Sequence, residues 1–173
     1  MKASFRLATP DDIDRLLPLM KAFYTFEHLP YDENRLRRLL SDLIADQRLG
    51  RLILFELADE LVGYMVLGFG FSLEFHGRDC LIDEFYVQPA HRSKGIGQAA
   101  VDFVMALCRD LGIKAVHLEA DNFNVRGHDF YNRLGFKDHD RHLMTRWLRS
   151  FCRRHPDCLM LRFAFRSSGR RLF

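Results

Sequence analysis

The chain has 173 residues, of which 48% are hydrophobic, so it encodes a packed globular domain rather than a disordered segment. Its 26 Lys and Arg against 23 Asp and Glu give a net charge of +3, but residues 149–173 alone carry +6 and residues 1–148 carry −3. The basic character therefore belongs to the last 25 residues, which argues against a basic nucleic-acid-binding domain.

The hydrophobic pattern predicts helices and strands in alternation, as in an α/β protein with a mixed sheet. Thr9 and Pro10 are typical of a helix start, and Gly112 of a helix end. In chain order, the predicted elements are a strand over Ala3–Leu7, a helix from Pro10, a helix over Asp32–Asp46, a hairpin of Arg51–Ala58 and Leu61–Phe71, a strand over Cys80–Val87, a helix from Gly95 to Leu111, a strand over Lys114–Ala120, a helix over Asn124–Leu134 and a last strand over His142–Leu148.

The glycines after the strand Cys80–Val87 are the most informative local feature. Gly95-Ile96-Gly97 opens a helix, and glycine there lets the backbone approach a ligand closely. The free N–H groups of the first helical turn favour a phosphate, and Arg92 and Lys94 add positive charge. The segment is neither a P-loop nor a Rossmann fingerprint, because it has no GxxxxGK[ST] and no third glycine.

Two linked signatures in this chain resemble those of the GNAT superfamily of N-acetyltransferases. Arg92-x-x-Gly95-x-Gly97 matches the family's [RQ]xxGx[GA] acetyl-CoA loop. The second signature is Asn124, then Tyr131 seven residues later, then Gly135-Phe136. The resemblance implies a single mixed α/β domain over residues 1–148, with a twisted mixed sheet of six or seven strands and about four helices. Residues 149–173 would be a basic extension of unknown role.

The resemblance also implies that the protein uses acetyl-CoA as a cosubstrate, without a metal, and it implies which residues bind it. The backbone of Phe85, Tyr86 and Val87 would pair with the pantetheine arm, and Asn124 would contact that arm. Tyr131 would lie near the thioester sulfur as the general acid. The pyrophosphate would be held by the loop and the helix start, which are Arg92, Ser93, Lys94, Gly95, Ile96, Gly97 and Gln98. Two positions depart from the common pattern: Ser93 stands where many members have glycine, and Gly127 where alanine is usual.

Acetylation of an amine requires a proton acceptor, since alkyl amines are mostly protonated at neutral pH. Asp83 and Glu84 are the candidates, because both are acids in an otherwise apolar strand. Successive side chains point to opposite faces of a sheet, so only one of the two can face the acetyl group, and the sequence does not decide which. Glu119, late in the next strand, is a third candidate.

The run Phe71–Arg78, followed by Ile82–Val87, resembles the diamine and polyamine acetyltransferase branch of the superfamily, which has paired acids at these positions. This implies a small cationic amine as the partner, acetylated by direct attack in a ternary complex. Glu27 and Tyr31, between the first two helices, are candidate substrate contacts, with Asp83 and Glu84. The alternatives are acetylation of a protein lysine or N-terminus, and a non-catalytic CoA-binding regulatory domain.

The remaining features predict no further chemistry. No secretory signal is evident, and Leu61–Leu73 is too short for a membrane span. The four Cys show no CxxC, which favours free thiols in the cytoplasm. His117 and His128 are expected to be structural, and Cys152-x-x-His155-x-x-Cys158 lacks a fourth zinc ligand. We also expect a homodimer, with no nucleic-acid or membrane partner. In the tail, residues 161–166 alternate between large hydrophobic residues and arginine or alanine, a pattern that could form an edge strand.

Overall fold

The computed structural model describes residues 2–121 and 123–148. The chain divides into two compact units, residues 1–137 and residues 138–173. The first unit contains every helix and strand of the described residues. The predicted edge strand in the tail and the Cys152, His155 and Cys158 cluster lie outside the described residues. Within the described ranges, no helix has both the length and the apolar composition to cross a membrane.

Five strands form one sheet, in the order in which they occur along the chain. They are β1 (Ser4–Leu7), β2 (Gly50–Leu57), β3 (Glu60–Ser72), β4 (Gly77–Val87) and β5 (Ala115–Leu118). The first four strands are antiparallel to their neighbours, whereas β5 runs parallel to β4. A parallel pair needs a crossover, which the helix after β4 supplies. The prediction of a mixed α/β fold is confirmed.

Four α-helices flank this sheet: α1 (Ile13–Phe26), α2 (Glu33–Ala45), α3 (Ile96–Asp110) and α4 (Val125–Arg133). Their starts follow the signals in the sequence. A short 3-10 turn, Pro10–Asp12, leads into α1. Asp32 caps α2, because its carboxylate accepts a hydrogen bond of 3.0 Å from the backbone N–H of Arg35.

The hydrophobic core lies in two layers, one on each face of the sheet. The first layer packs α1 and α2 against Leu52, Leu54, Tyr64 and Tyr86 of the strands. The second packs α3 against the opposite face, and Phe130 of α4 and Leu134, directly after α4, lie at its margin. Most of the candidate site residues lie at the C-terminal end of β4 and at the starts of α3 and α4.

The prediction of a last strand over His142–Leu148 is wrong. Residues 138–148 form no helix or strand, so the described residues contain five strands rather than six or seven. A strand is stable only when a neighbour completes its hydrogen-bond ladder, and no described residue pairs with this segment.

Candidate active site

A β-bulge in β4 gives the two adjacent candidate acids, Asp83 and Glu84, different positions in the strand. Val66 of β3 pairs with Glu84 and Leu67 pairs with Ile82, so Asp83 is the extra residue between them. The bulge reverses the alternation of side chains along β4. Before it, Ile82 packs in the α3 layer; after it, Phe85 packs against that layer and Glu84 faces the side of α1 and α2.

Beyond the bulge, β4 and β5 part from each other. β5 pairs with β4 only from Asp79 to Ile82, whereas β4 continues to Val87. Within the described part of the chain, no strand pairs with this last stretch of β4 on the β5 side. Its backbone N–H and C=O groups therefore present a short open edge, which an extended ligand could join as an additional strand does.

Glu84 is tied to two tyrosine hydroxyl groups. Tyr24 of α1 donates a hydrogen bond of 2.8 Å to Oε1, and Tyr64 of β3 donates one of 2.8 Å to Oε2. Burial raises the pKa of Glu84, the charge of Asp83 raises it further, and the two tyrosine hydrogen bonds lower it. The carboxylate is thus partly removed from water, and each of its oxygens has a donor.

Asp83 differs from Glu84 in its surroundings. The residue is exposed, and its carboxylate has no hydrogen bond or ion pair with the described residues. Partial desolvation nevertheless raises the pKa of this carboxyl group. A carboxylate with free lone pairs and a raised pKa is chemically suited to accept a proton from a ligand.

The glycine loop has the backbone that its sequence predicts. Gly95 has φ of +80° and precedes the first residue of α3, a left-handed conformation that glycine adopts without strain. A Cβ at Gly97 would lie 3.3 Å from Cζ of Phe130 and 3.5 Å from Cζ of Phe85, so the absence of a side chain allows close packing there. The first N–H groups of α3 have no acceptor within the helix and could bind an anion.

Arg92 is fixed beside this loop. Its Nε donates a hydrogen bond of 2.8 Å to the carbonyl oxygen of Val87. Its guanidinium lies 5.3 Å from the ring centre of Phe26 and 5.7 Å from that of Tyr86. Ser93 has φ of +60°, a strained value for a residue with a side chain, and its Oγ accepts a 2.7 Å hydrogen bond from Arg126.

Tyr131 lies on α4, between two other aromatic rings. Its ring centre is 5.2 Å from that of Phe130 and 5.8 Å from that of Phe136. Burial and the negative charge of Glu27 raise the pKa of Tyr131 to about 12. Because its pKa is raised, the hydroxyl group keeps its proton at neutral pH, and because it has no hydrogen-bond partner among the described residues, it can donate that proton to a ligand.

Asn124 has a structural task that the sequence signature did not indicate. Its Oδ1 accepts a hydrogen bond of 2.9 Å from the backbone N–H of Gly127, which caps the start of α4. A Cβ at Gly127 would lie only 2.6 Å from Nδ2 of Asn124. Glycine in place of the usual alanine therefore makes room for this cap.

The other candidates are distributed around this region. Glu27 ends α1, with its N–H bonded to the carbonyl oxygen of Phe23. Tyr31 donates a long hydrogen bond of 3.5 Å to the carbonyl oxygen of Leu17, and its ring packs 6.1 Å from that of Tyr24. Glu119 is exposed directly after β5.

His117 and His128, which the sequence predicts to be structural, both contact other residues of the protein. The ring of His117 lies 4.4 Å from that of Phe75, and its Nε2 lies 3.7 Å from Asp79. Nε2 of His128 lies 3.2 Å from the carbonyl oxygen of Asp121. Among the described residues, no group of three His, Cys, Asp or Glu side chains is arranged to hold a metal ion.

Tyr24 and Tyr64 are the functional candidates that sequence reasoning missed. One signal was present: Tyr64 stands in the apolar predicted strand Leu61–Phe71, and a buried tyrosine hydroxyl normally needs a partner. The partner could not be identified, because the bulge that turns Glu84 toward these hydroxyls leaves no local signature in the sequence.

Comparison with known proteins shows which protein family the chain matches. Residues 13–136 match the family model described as acetyltransferase (GNAT) family. The chain is 32% identical over 78 residues to a thialysine N-epsilon-acetyltransferase from Bos taurus, a match that covers 45% of each protein. The match thus spans less than half the length of this relative.

Solved structures resemble nearly the whole of the described chain. An integron cassette protein from the mobile metagenome of Cole Harbour Salt Marsh is 34% identical, with a TM-score of 0.75, and the match covers 83% of this chain and 90% of that one. A predicted acetyltransferase from Clostridium acetobutylicum, solved with acetyl-CoA, is 21% identical with a TM-score of 0.71, over 84% of this chain and 96% of that one. At that identity the second likeness concerns the fold alone.

Proposed function

The chain belongs to the acetyltransferase (GNAT) family, and on this basis we propose that it transfers an acetyl group from acetyl-CoA to a primary amine of a small cationic molecule. Attack occurs directly, in a ternary complex of the protein with both substrates. The observation that carries the proposal is the bulged, open edge of β4, which has Asp83 and Glu84 at one end and the glycine loop at the other.

The described residues fit the requirements of acetyl-CoA. The open edge formed by Phe85, Tyr86 and Val87 offers backbone partners for the amide groups of the pantetheine arm. The start of α3, with Gly95 in a left-handed conformation and Arg92 and Lys94 beside it, suits a pyrophosphate. The loop and helix residues assigned to this contact are Arg92, Ser93, Lys94, Gly95, Ile96, Gly97 and Gln98. When bound, acetyl-CoA supplies an activated thioester carbonyl.

Asn124 has a second role in the proposal besides its cap. Its Oδ1 is used by the N–H of Gly127, which leaves the two N–H groups of its amide for a ligand. We assign these donors to the cofactor arm. The capping bond would hold the amide in one orientation for that contact.

Three side chains divide the proton chemistry. Asp83 accepts a proton from the ammonium group, directly or through a water, because its carboxylate has no hydrogen bond or ion pair with the described residues and desolvation raises its pKa. Glu84 stands beside it as the second acid. Tyr131 donates its hydroxyl proton to the sulfur as the N–C bond forms and the C–S bond breaks; the nitrogen releases its second proton to water, from which Tyr131 is reprotonated. This role requires Tyr131 to be protonated, as its pKa of about 12 ensures.

The substrate assignment rests on charge and on a relative. Glu27, Asp83 and Glu84 place carboxylates near Tyr131 and the bulge, and carboxylates attract cationic amines. Tyr31 packs against Tyr24, which itself contacts Glu84, so it would contribute to the same wall. The bovine relative acetylates the ε nitrogen of thialysine. We propose that the acceptor of this chain is likewise a primary amine on a flexible aliphatic molecule, such as a polyamine.

The setting of the enzyme is part of the same proposal. Cys80 and Cys108 are free thiols, which supports a reducing compartment such as the cytoplasm. We also propose a homodimer, which light scattering of the full chain would test.

Release of free thiol from acetyl-CoA, measured across a panel of acceptors, tests the proposed function. The panel consists of polyamines, thialysine, aminoglycosides, amino acids and peptides. We expect the highest kcat/KM with polyamines or thialysine. Preference for a peptide would indicate a protein lysine or N-terminal acetyltransferase instead. Tight CoA binding without any amine-dependent release would indicate a regulatory domain.

A further inference from the structure

Glu84 is held from two sides by elements that are distant in the sequence. The Tyr24 hydroxyl comes from the end of α1 and bonds to Oε1, and the Tyr64 hydroxyl comes from the centre of β3 and bonds to Oε2, both at 2.8 Å. Hydrogen bonds to a charged acceptor are stronger than those between neutral groups. With one donor on each oxygen, the carboxylate has a fixed orientation on the α1 and α2 side of the sheet.

Both hydroxyl groups remain donors throughout the working pH range. Burial and the negative charge of Glu84 raise the pKa of Tyr24 and of Tyr64 well above the ordinary value. The other ionisable groups that act on this cluster are Asp83, Arg35 and Tyr86. Asp83 opposes ionisation of Glu84, and the two hydrogen bonds favour it.

Tyr24 also belongs to the segment that leads into the candidate substrate contacts. Its carbonyl oxygen accepts a hydrogen bond of 2.8 Å from the N–H of Leu29, in the connection between α1 and α2. Its ring centre lies 6.0 Å from that of Phe23 and 6.1 Å from that of Tyr31. Tyr24 therefore links this connection, through one side chain, to the acid on β4.

We propose that Tyr24 is a positioning residue for recognition of the amine: together with Tyr64 it keeps Glu84 ionised and oriented, so that Glu84 serves as a fixed negative charge for the ammonium group while Asp83 accepts the proton. This inference rests on the proposed function. It assigns different tasks to two adjacent acids, because two tyrosine hydroxyls bond to the carboxylate of Glu84, whereas that of Asp83 has no hydrogen bond within residues 2–121 and 123–148.

The kinetic test uses Tyr24→Phe and Tyr64→Phe, which remove one hydroxyl each. Loss of one charge-assisted hydrogen bond raises the KM for the amine by about tenfold, with kcat changed less than about twofold. The increase is larger at lower pH, because Glu84 without one donor is protonated more readily. In a Glu84→Gln background, adding Tyr24→Phe changes KM no further. A large additional change in the double variant would overturn the inference.

A second readout does not depend on activity. Carboxyl carbon NMR titration of the full chain measures the pKa of Glu84 in the wild type and in each variant. We expect a higher value in Tyr24→Phe and in Tyr64→Phe, and the wild-type value in Tyr31→Phe, which removes a neighbouring hydroxyl that bonds to Leu17 instead. An unchanged value in Tyr24→Phe would contradict the inference. A wild-type chain that acetylates no amine would contradict the proposed function, while the titration would still decide the role of Tyr24.

Discussion

At the scale of single residues, the proposed chemistry depends on how each ionisable group is surrounded. Glu84 accepts hydrogen bonds from two tyrosine hydroxyls. In the part of the chain that the structure describes, neither the Tyr131 hydroxyl, which lies among aromatic rings, nor the Asp83 carboxylate, at the bulge, has a hydrogen-bond partner. These environments suit a fixed charge, a proton donor and a proton acceptor, respectively. Exchanging any one side chain for a shape-matched analogue should therefore change one step and leave the others intact.

Tyr131→Phe should lower kcat by about 10²-fold, the order expected when a general acid is lost. The ring is kept, so its packing against Phe130 and Phe136 is kept as well. Calorimetric titration with CoA should show nearly unchanged affinity. A variant with the wild-type kcat would exclude Tyr131 as the proton donor.

Asp83→Asn should lower kcat and remove the acid limb of the pH–rate profile. The pKa of Asp83 is raised by desolvation, so the wild-type rate should fall as the pH decreases through that raised value and the acceptor becomes protonated. The amide cannot accept the proton at any pH, so the variant rate should be low and insensitive to pH there. If the acid limb persists in Asp83→Asn, another group accepts the proton.

At the scale of elements, the glycine loop and the start of α4 each combine a backbone requirement with a proposed role in cofactor binding. Gly95 needs a left-handed conformation, and a Cβ added there would meet no atom within 4 Å. The cost of a side chain at Gly95 is therefore conformational and not steric.

Gly95→Ala should destabilise the protein by about 1 kcal/mol and raise the KM for acetyl-CoA severalfold. Gly68→Ala in β3 is the matched control, because its Cβ also meets nothing within 4 Å and its backbone needs no left-handed conformation. Thermal unfolding and initial rates should be close to wild type in this control. Equal effects in both variants would mean that the conformation of Gly95 is unimportant.

Two substitutions of Asn124 test its capping of α4 and its proposed contact with the cofactor arm separately. Asn124→Ala removes the cap of α4 and should destabilise the protein by about 1 kcal/mol. Asn124→Asp keeps an acceptor for the N–H of Gly127 and removes the amide donors. Chemical denaturation should find this variant as stable as the wild type, whereas CoA affinity falls. Unchanged CoA affinity in Asn124→Asp would limit Asn124 to capping.

The sequence predicted these elements better than it predicted their relation to the acids. Local signals such as Thr9-Pro10, Asp32 and Gly112 correctly indicated where helices begin and end, and apolar runs indicated β2 to β5. The tasks of Asp83 and Glu84 could not be distinguished, because they depend on the bulge and on hydroxyls 20 and 60 residues away from Glu84. The strand predicted at His142–Leu148 failed for a related reason: strand formation requires a partner that local composition does not reveal.

At the scale of the whole molecule, the net charge of +3 conceals an uneven distribution. Residues 1–148 carry −3, and the candidate acids belong to this part. In the proposed pyrophosphate site, the positive charge comes locally from Arg92, Lys94 and the start of α3. Recognition of the cofactor and attraction of a cationic amine are thus assigned to different parts of one α/β unit, at opposite ends of the open edge of β4.

Mass spectrometry of the product shows whether the protein transfers an acetyl group to an amine. The full chain is incubated with acetyl-CoA and a polyamine, and both the amine and the released CoA are followed over time. We predict a polyamine carrying one added acetyl group, formed in step with free CoA and absent without the protein. CoA release that yields only free acetate, or no release with any small amine, would contradict the proposed acetyl transfer to an amine.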